Sequence, residues 1–114
     1  MNDKNLDLDK RKAEANKMLE KYPDRIPIIV TKSRRSTLSD IDKNKFLVPV
    51  DLTVGQFMYV VRKRIKNIDS TQAIYLFINN TLPQITSLIG EVYKNNKNKD
   101  NFLYIEYNGE ETFG

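Results

Sequence analysis

The side chains that perform most protein chemistry are scarce in this sequence. Its 114 residues include no cysteine and no histidine, which excludes thiolate nucleophiles, thiolate metal ligands and the usual general base at neutral pH. Asp40 and Asp42 have the spacing of an acid pair, but a solvated loop accounts for them better. The four glycines are scattered, so they form no phosphate-binding loop. We therefore predict that the chain is not an enzyme and has no cofactor and no metal site.

The chemically most useful group that remains is a terminal carboxylate. The chain ends on Gly114, and a glycine carboxylate is the least hindered carboxyl group that a protein presents. It can enter a narrow active-site channel, be activated there and be passed to a nucleophile. Truncation of a longer chain would give the same ending, so this signal is weak alone and gains strength only with a suitable fold.

Composition indicates one globular domain with a well-solvated surface. Apolar residues make up 39% of the chain and charged residues 30%, and a chain of this length buries about two-thirds of its unfolded surface. The longest apolar run, residues 73–78, is too short to span a bilayer, and the N-terminus lacks the apolar region of a signal peptide. The net charge of +4 permits an acidic partner, although a solvated lysine-rich surface accounts for it better.

The segment from Lys45 to Val50 reads as a strand that carries a proline. Proline has no N–H to donate to a sheet, so such a strand belongs at an edge. Alternation places Lys45 and Leu47 on one face and Phe46 and Val48 on the other. Both faces therefore carry an apolar residue, which indicates either helices on both sides or a partner strand that docks at the edge.

Helical signals occur in three places. Asp9 is expected to cap a helix over residues 10–21, after a loosely ordered start. Thr53 and Gln56 match a capping box, and an apolar stripe with helical spacing follows from Val54 to Ile68. A shorter helix is expected around Ile85 to Tyr93, ended by the polar run over residues 94–100.

Three further strands are expected, over residues 26–30, 73–78 and 102–107. A long turn over residues 31–44 joins the first of these to the edge strand as an antiparallel pair. This order predicts an α+β fold, the ubiquitin-like β-grasp with a four-stranded mixed sheet and an additional N-terminal helix or helices. We divide the chain into a helical extension (1–24), the β-grasp domain (25–110) and a C-terminal tail (111–114).

An ordered series of sequence blocks closely resembles the GABARAP-type autophagy-related ubiquitin-like modifier family. The blocks are KYPDRIPIIV at 21–30, DKNKFLVP at 42–49, DLTVGQF at 51–57, RKRI at 62–65, YLFINN at 75–80, FLY at 102–104, and Gly114. They cover roughly residues 10 to 114 with near-family spacing.

The resemblance implies a modifier whose C-terminal glycine, here Gly114, is activated by an E1-like enzyme and carried by E2-like enzymes. It is then joined to phosphatidylethanolamine on autophagosome or other vesicle membranes, while the free protein is cytoplasmic. A cysteine protease primes or deconjugates such proteins, and whether this chain needs priming is left open. Its other partners are cargo and adaptor proteins with an aromatic-x-x-aliphatic motif, and no nucleic acid is expected.

The resemblance also implies two pockets that flank the edge strand. The aromatic pocket consists of Glu14, Met18, Pro27, Ile29, Lys45, Leu47 and Phe102. The aliphatic pocket consists of Phe46, Val48, Pro49, Leu52, Phe57, Val60 and Val61. Arg25 and Arg64 match basic positions that contact acidic residues around the motif. Plain core packing is the alternative for most of the apolar members.

Two other functions fit the residues. One is a purely non-covalent peptide-binding or trafficking adaptor without conjugation, which acts on microtubules or membrane surfaces. The other is a basic nucleic-acid or microtubule binder that uses Arg34, Arg35, Arg62 and Lys63.

Overall fold

The computed structural model describes the backbone of residues 3–111 and the side chains of residues 7–111. The elements in chain order are α1 (Asp3–Lys21), β1 (Arg25–Lys32), β2 (Lys45–Pro49), α2 (Val54–Arg62), β3 (Tyr75–Phe77), α3 (Ile89–Asn96) and β4 (Leu103–Asn108). Within these described residues, no helix has the length and apolar character needed to cross a bilayer.

The four strands form one mixed sheet in the order β2-β1-β4-β3. β1 pairs with β4 in parallel, with Ile28 opposite Leu103. β2 is antiparallel to β1, and β3 is antiparallel to β4. This arrangement confirms the predicted ubiquitin-like β-grasp, the edge position of β2 and the long connection between β1 and β2.

The sheet separates a large apolar core from a small one. The large core unites one sheet face with α2 and α3, and its fully buried side chains include Ile28, Phe57, Ile89 and Tyr107. On the other face α1 lies against β1, and Ala15 is buried with Ile29 and Phe102. The N-terminal helix therefore covers the second sheet face.

The first helix begins earlier than predicted. It starts at Asp3, so Asp9 lies inside the helix and the predicted cap at that residue is wrong. No proline or glycine occurs before Pro23, so nothing in the polar start interrupts the backbone hydrogen bonds.

The second helix has the predicted beginning and a different end. Thr53 and Gln56 form the reciprocal capping box, but the helix ends at Arg62 rather than continuing to Ile68. Ile65 is still buried, because a turn brings it into a bridge with Ile41. Asn67 then adopts a left-handed conformation with φ 55°. The apolar spacing that predicted a helix up to Ile68 therefore continues through a turn beyond the end of α2.

The third helix is displaced towards the C-terminus. It runs from Ile89 to Asn96, so it includes part of the polar run expected to end it. The carbonyl groups of Ile85 and Ser87 accept hydrogen bonds from Gly55 N and Val54 N, both at 2.9 Å. The segment 85–87 therefore pairs with the first turn of α2, whose N–H groups have no partner within the helix. Ile85 remains 60% exposed.

The bounds of all four strands also differ from the prediction. β1 is longer, at Arg25–Lys32, and β2 ends at Pro49 instead of Val50. β3 contains only Tyr75–Phe77, and β4 is displaced by one residue, to Leu103–Asn108. Asn79 and Asn80 have φ angles of 52° and 63°, which turn the chain away directly after the sheet residues.

Candidate functional site

The outer edge of β2 presents backbone groups that β1 does not use. Backbone groups in an antiparallel pair point alternately towards and away from the partner strand. Val30 N donates to Asn44 O at 2.8 Å, and the register places Phe46 opposite Ile28 and Val48 opposite Ile26. The N–H and C=O groups of Lys45 and Leu47 therefore point outward, whereas Pro49 at the end of the strand offers only a carbonyl.

One flank of this edge is built by α1 and the sheet face beneath it. Ala15, Ile29 and Phe102 form a buried cluster, and Met18 packs against it while half-buried. Leu47 is also half-buried. The helical period places Glu14 and Met18 on one side of α1, next to the outer end of the cluster.

An ion pair spans this flank. Lys45 Nζ lies 2.7 Å from Glu14 Oε1, and both side chains are partly exposed, at 51% and 40%. The pair connects the first residue of β2 to α1. An exposed pair of this kind contributes little stability, so a ligand can displace it at small cost.

The opposite flank is built by α2 and the β2 side chains that point into the large core. The rings of Phe46 and Phe57 meet edge to face, with centroids 5.5 Å apart and planes at 89°. Leu52 and Val60 pack against this core while half-buried, and Pro49 is exposed. Leu52 and Val60 therefore provide accessible apolar surface on this side, whereas the alternation along β2 places Pro49 on the face of Lys45 and Leu47.

The predicted site residues separate into a buried floor and accessible walls. The floor members are Pro27, Ile29, Phe46, Val48, Phe57, Val61 and Phe102, all of which are buried. The wall members are Glu14, Met18, Lys45, Leu47, Pro49, Leu52 and Val60, all at least partly exposed. The predicted site residues therefore include some that pack in the core and others that a ligand can contact.

The two predicted arginines lie at the surface with other partners. Arg25 lies opposite Pro49 in the register, and its guanidinium is 5.8 Å from the centre of the Tyr22 ring. Arg64 Nη1 lies 4.0 Å from Asp42 Oδ1. Arg25 is therefore beside the end of β2, while Arg64 is directed towards the loop before it.

The sequence did not point to an open cleft that adjoins the α1 flank. The cleft has a volume of about 830 Å³ and shares Ile29 with the small core. Its other lining residues are Leu8, Arg11, Lys97, Asn98, Lys99, Asp100 and Tyr104. The run of charged and amide residues over 94–100 was the available signal, but its partner on α1 is 89 positions away.

Asp100 connects three residues at this cleft. Its carboxylate accepts hydrogen bonds from Arg11 Nε and Phe102 N, both at 3.0 Å, and from the Tyr104 hydroxyl. The bond from Arg11 to Asp100 raises the pKa of the guanidinium. Burial, followed by the bond to Asp100, raises the pKa of Tyr104 to about 12. The network joins α1 to the start of β4.

Together these features can accept an added strand. Main-chain groups of Lys45 and Leu47 would bind its backbone, and its alternate side chains would reach the two flanks. The predicted attachment residue, Gly114, lies outside the described residues.

Comparison with known proteins agrees with this architecture. A model of the family described as autophagy protein Atg8, ubiquitin-like, matches residues 10–114. Autophagy-related protein 8B of Oryza sativa subsp. indica is 58% identical over 107 residues, which cover 94% of this chain and 89% of that protein. Autophagy-related protein 8e of Arabidopsis thaliana is 56% identical over 108 residues, with coverage of 95% and 88%.

Solved structures show the same fold. The crystal structure of Trypanosoma brucei ATG8 has a TM-score of 0.86 at 41% identity, and the match covers 94% of this chain and 91% of that one. Plasmodium falciparum Atg8, solved in complex with a Plasmodium falciparum Atg3 peptide, has a TM-score of 0.80 at 37% identity and 90% coverage of both chains.

Proposed function

The chain belongs to the Atg8 family of autophagy-related ubiquitin-like proteins, and on that premise we propose that it is a conjugated modifier that also recruits motif-bearing proteins. Gly114 is the proposed attachment residue for phosphatidylethanolamine. The proposed division is a helical extension (1–24), the β-grasp domain (25–110) and a conjugation tail (111–114). The chain itself performs no catalysis in this proposal.

The proposed conjugation partners are an E1-like enzyme, an E2-like enzyme and a deconjugating cysteine protease. The complex of the Plasmodium protein with an Atg3 peptide supports an E2-like partner for this chain. Coupling to a two-chain lipid would anchor the domain stably at a membrane, since a single acyl chain gives only marginal binding. The free form is cytoplasmic and the conjugate resides on autophagosomal or other vesicle membranes.

The recruitment half of the proposal depends on one observation, the outer edge of β2, which lies between two apolar flanks and pairs with no other strand among the described residues. An aromatic-x-x-aliphatic peptide would add a strand there, with its aromatic residue on the α1 flank and its aliphatic residue on the α2 flank. Arg25 and Arg64 would contact acidic residues beside the motif. So small a groove is expected to bind in the micromolar range, at about 8 kcal/mol.

Within the family we assign the chain to the GABARAP type. The assignment is supported by the sequence blocks between residues 21 and 104 that resemble that type.

Reconstitution tests conjugation directly. The protein is incubated with cognate E1-like and E2-like enzymes, ATP and phosphatidylethanolamine liposomes, and a gel-shifted species is expected. Gly114→Ala should abolish that species, because the added methyl group hinders the activated carboxyl. A shifted band that persists in Gly114→Ala, or no band with wild type, would overturn the conjugation half.

The adaptor function without conjugation is the second candidate, since the groove is formed entirely by residues 14–102. It predicts motif-peptide binding that Leu47→Ala weakens, together with no lipid-linked product. Isothermal titration of wild type and Leu47→Ala, alongside the reconstitution, separates the two candidates.

A further inference from the structure

A short basic segment in the connection between β1 and β2 has no role in the groove. It consists of Arg34, Arg35, Ser36, Thr37 and Leu38 in succession, and is called here the arginine segment. Arg34, Arg35 and Thr37 are exposed. Within residues 7–111, the ion pairs and side-chain hydrogen bonds of the structure involve none of these three side chains.

We propose that Thr37 is a phosphorylation site for an arginine-directed protein kinase. Two guanidinium groups, three and two positions before the hydroxyl, complement a peptide-binding groove that is lined with carboxylates, since arginine pairs with carboxylates through two parallel hydrogen bonds. Leu38 follows directly and offers an apolar side chain to the next subsite. The segment thus carries a charge pattern, an acceptor and an apolar anchor in consecutive positions.

The local structure favours Thr37 over its neighbours as the acceptor. Ser36 Oγ already accepts a hydrogen bond from Leu38 N at 3.1 Å, and Ser36 is half-buried. Ser33 is only 4% exposed. The Thr37 hydroxyl is exposed and lies at the required distance in sequence from both arginines.

The segment can extend into a kinase groove without opening the sheet. Its internal bonds are Ser36 N to Ser33 O, at 3.1 Å, and the Leu38 N bond to Ser36 Oγ. Its ends are held separately, by Ser33 N to Tyr107 O at 2.9 Å and by the Tyr107 hydroxyl to Ser39 O at 2.7 Å. Extension therefore breaks two hydrogen bonds and lifts the half-buried Leu38 side chain.

The reaction is a phosphoryl transfer from magnesium-bound ATP. Thr37 Oγ1 forms a bond to the γ-phosphorus as the bond between that phosphorus and the β-bridging oxygen breaks. The hydroxyl proton passes to the catalytic carboxylate of the kinase, and ADP leaves. The phosphate adds about two negative charges, which lowers the formal net charge from +4 to about +2.

The test uses the full chain with magnesium, ATP and the catalytic subunit of cyclic-AMP-dependent protein kinase as an arginine-directed probe. Tandem mass spectrometry should locate one phosphate on Thr37, and Thr37→Val should lose it. The double variant Arg34→Gln/Arg35→Gln should lower kcat/KM for phosphorylation at least tenfold. Ser36→Ala should retain the rate within twofold.

A matched control removes two charges elsewhere. Lys10→Gln/Lys12→Gln changes two exposed lysines of α1 and should leave the rate unchanged within twofold. The proposal is overturned if wild type takes up no phosphate, if the phosphate lies on Ser36 or Ser39, or if this control loses as much rate as the arginine variant. None of these results depends on whether the chain is conjugated.

Discussion

The sheet has two edges, and they differ in what surrounds them. β2 has five residues, with partly exposed apolar side chains on both faces, Leu47 on one and Leu52 and Val60 beside the other. β3 has three residues, and the chain turns back directly after it through the bridge between Ile78 and Thr81. An edge becomes a docking site only when it has sufficient length and flanks that can select side chains. β2 meets both conditions.

The largest expected effect on stability comes from truncating a buried floor residue instead of an accessible wall residue. Phe57 is fully buried against Phe46, so Phe57→Ala should lower the free energy of unfolding by about 4 kcal/mol through lost burial and a cavity. Leu52→Ala, on the accessible wall, should cost about 1.5 kcal/mol and weaken motif-peptide binding roughly tenfold. Urea unfolding and isothermal titration measure both. Equal stability losses in the two variants would remove the distinction between floor and wall.

The two edges can be compared with one substitution at each. Leu47→Asp places a carboxylate in the β2 groove, which a bound peptide would desolvate, so the affinity should fall about a hundredfold, or roughly 3 kcal/mol. Tyr75→Asp makes the matched change on β3, where Tyr75 is also half-buried, and should leave affinity within twofold. If Tyr75→Asp weakened binding as much as Leu47→Asp, the assignment of the site to β2 would be wrong.

Alkaline pH should lower the stability of the fold through two tyrosines of β4, the strand next to β3. Burial is the main cause that raises the pKa of Tyr104 and of Tyr107, each to about 12 from 10.0. Between pH 10 and 12 the folded protein therefore keeps these two hydroxyl protons, while the unfolded chain loses them. The free energy of unfolding should fall as the pH rises through that range. Below pH 10 these two groups should not change it.

Urea unfolding at several pH values measures this effect. Tyr104→Phe and Tyr107→Phe should each flatten the decline between pH 10 and 12. A wild-type stability that rises across that range would contradict the raised pKa of the two tyrosines on β4.

The smallest effect is expected at the ion pair across the α1 flank. Lys45 and Glu14 are both partly exposed, so Lys45→Ala should change the free energy of unfolding by less than about 1 kcal/mol. Glu14→Gln is the matched change on the partner and should agree within the same limit. A loss of several kcal/mol in either variant would show that the pair holds α1 in place.

The sequence predicted the features that depend on neighbouring residues. The capping box at Thr53 and the proline in β2 each act within a few positions, and α2 begins, and β2 lies at the sheet edge, as expected. The predictions were wrong where contacts between residues distant in the sequence determine the local structure. Ile85 follows helical spacing, yet its carbonyl group pairs with α2, and Ile65 is buried by a turn that contacts Ile41.

In the candidate site, too, local features were predicted from the sequence and contacts between distant residues were not. Alternation correctly predicted that Phe46 and Leu47 lie on opposite faces of β2, with Phe46 in the large core and Leu47 half-buried on the other face, because side-chain direction in a strand is local. The network of Asp100 could not be predicted, since Arg11 lies 89 positions away and the polar run over residues 94–100 does not identify which of its members pairs with α1. The separation into floor and walls likewise depends on how α1 and α2 pack on the sheet.

Amide hydrogen exchange with and without an aromatic-x-x-aliphatic peptide tests the central claim most directly. If the peptide adds a strand to β2, the amides of Lys45 and Leu47 should be protected about a hundredfold when the free peptide is at 100 times its Kd. The amides of Tyr75–Phe77 in β3 should be unchanged. Protection of β3 with unchanged exchange at Lys45 and Leu47 would contradict the account.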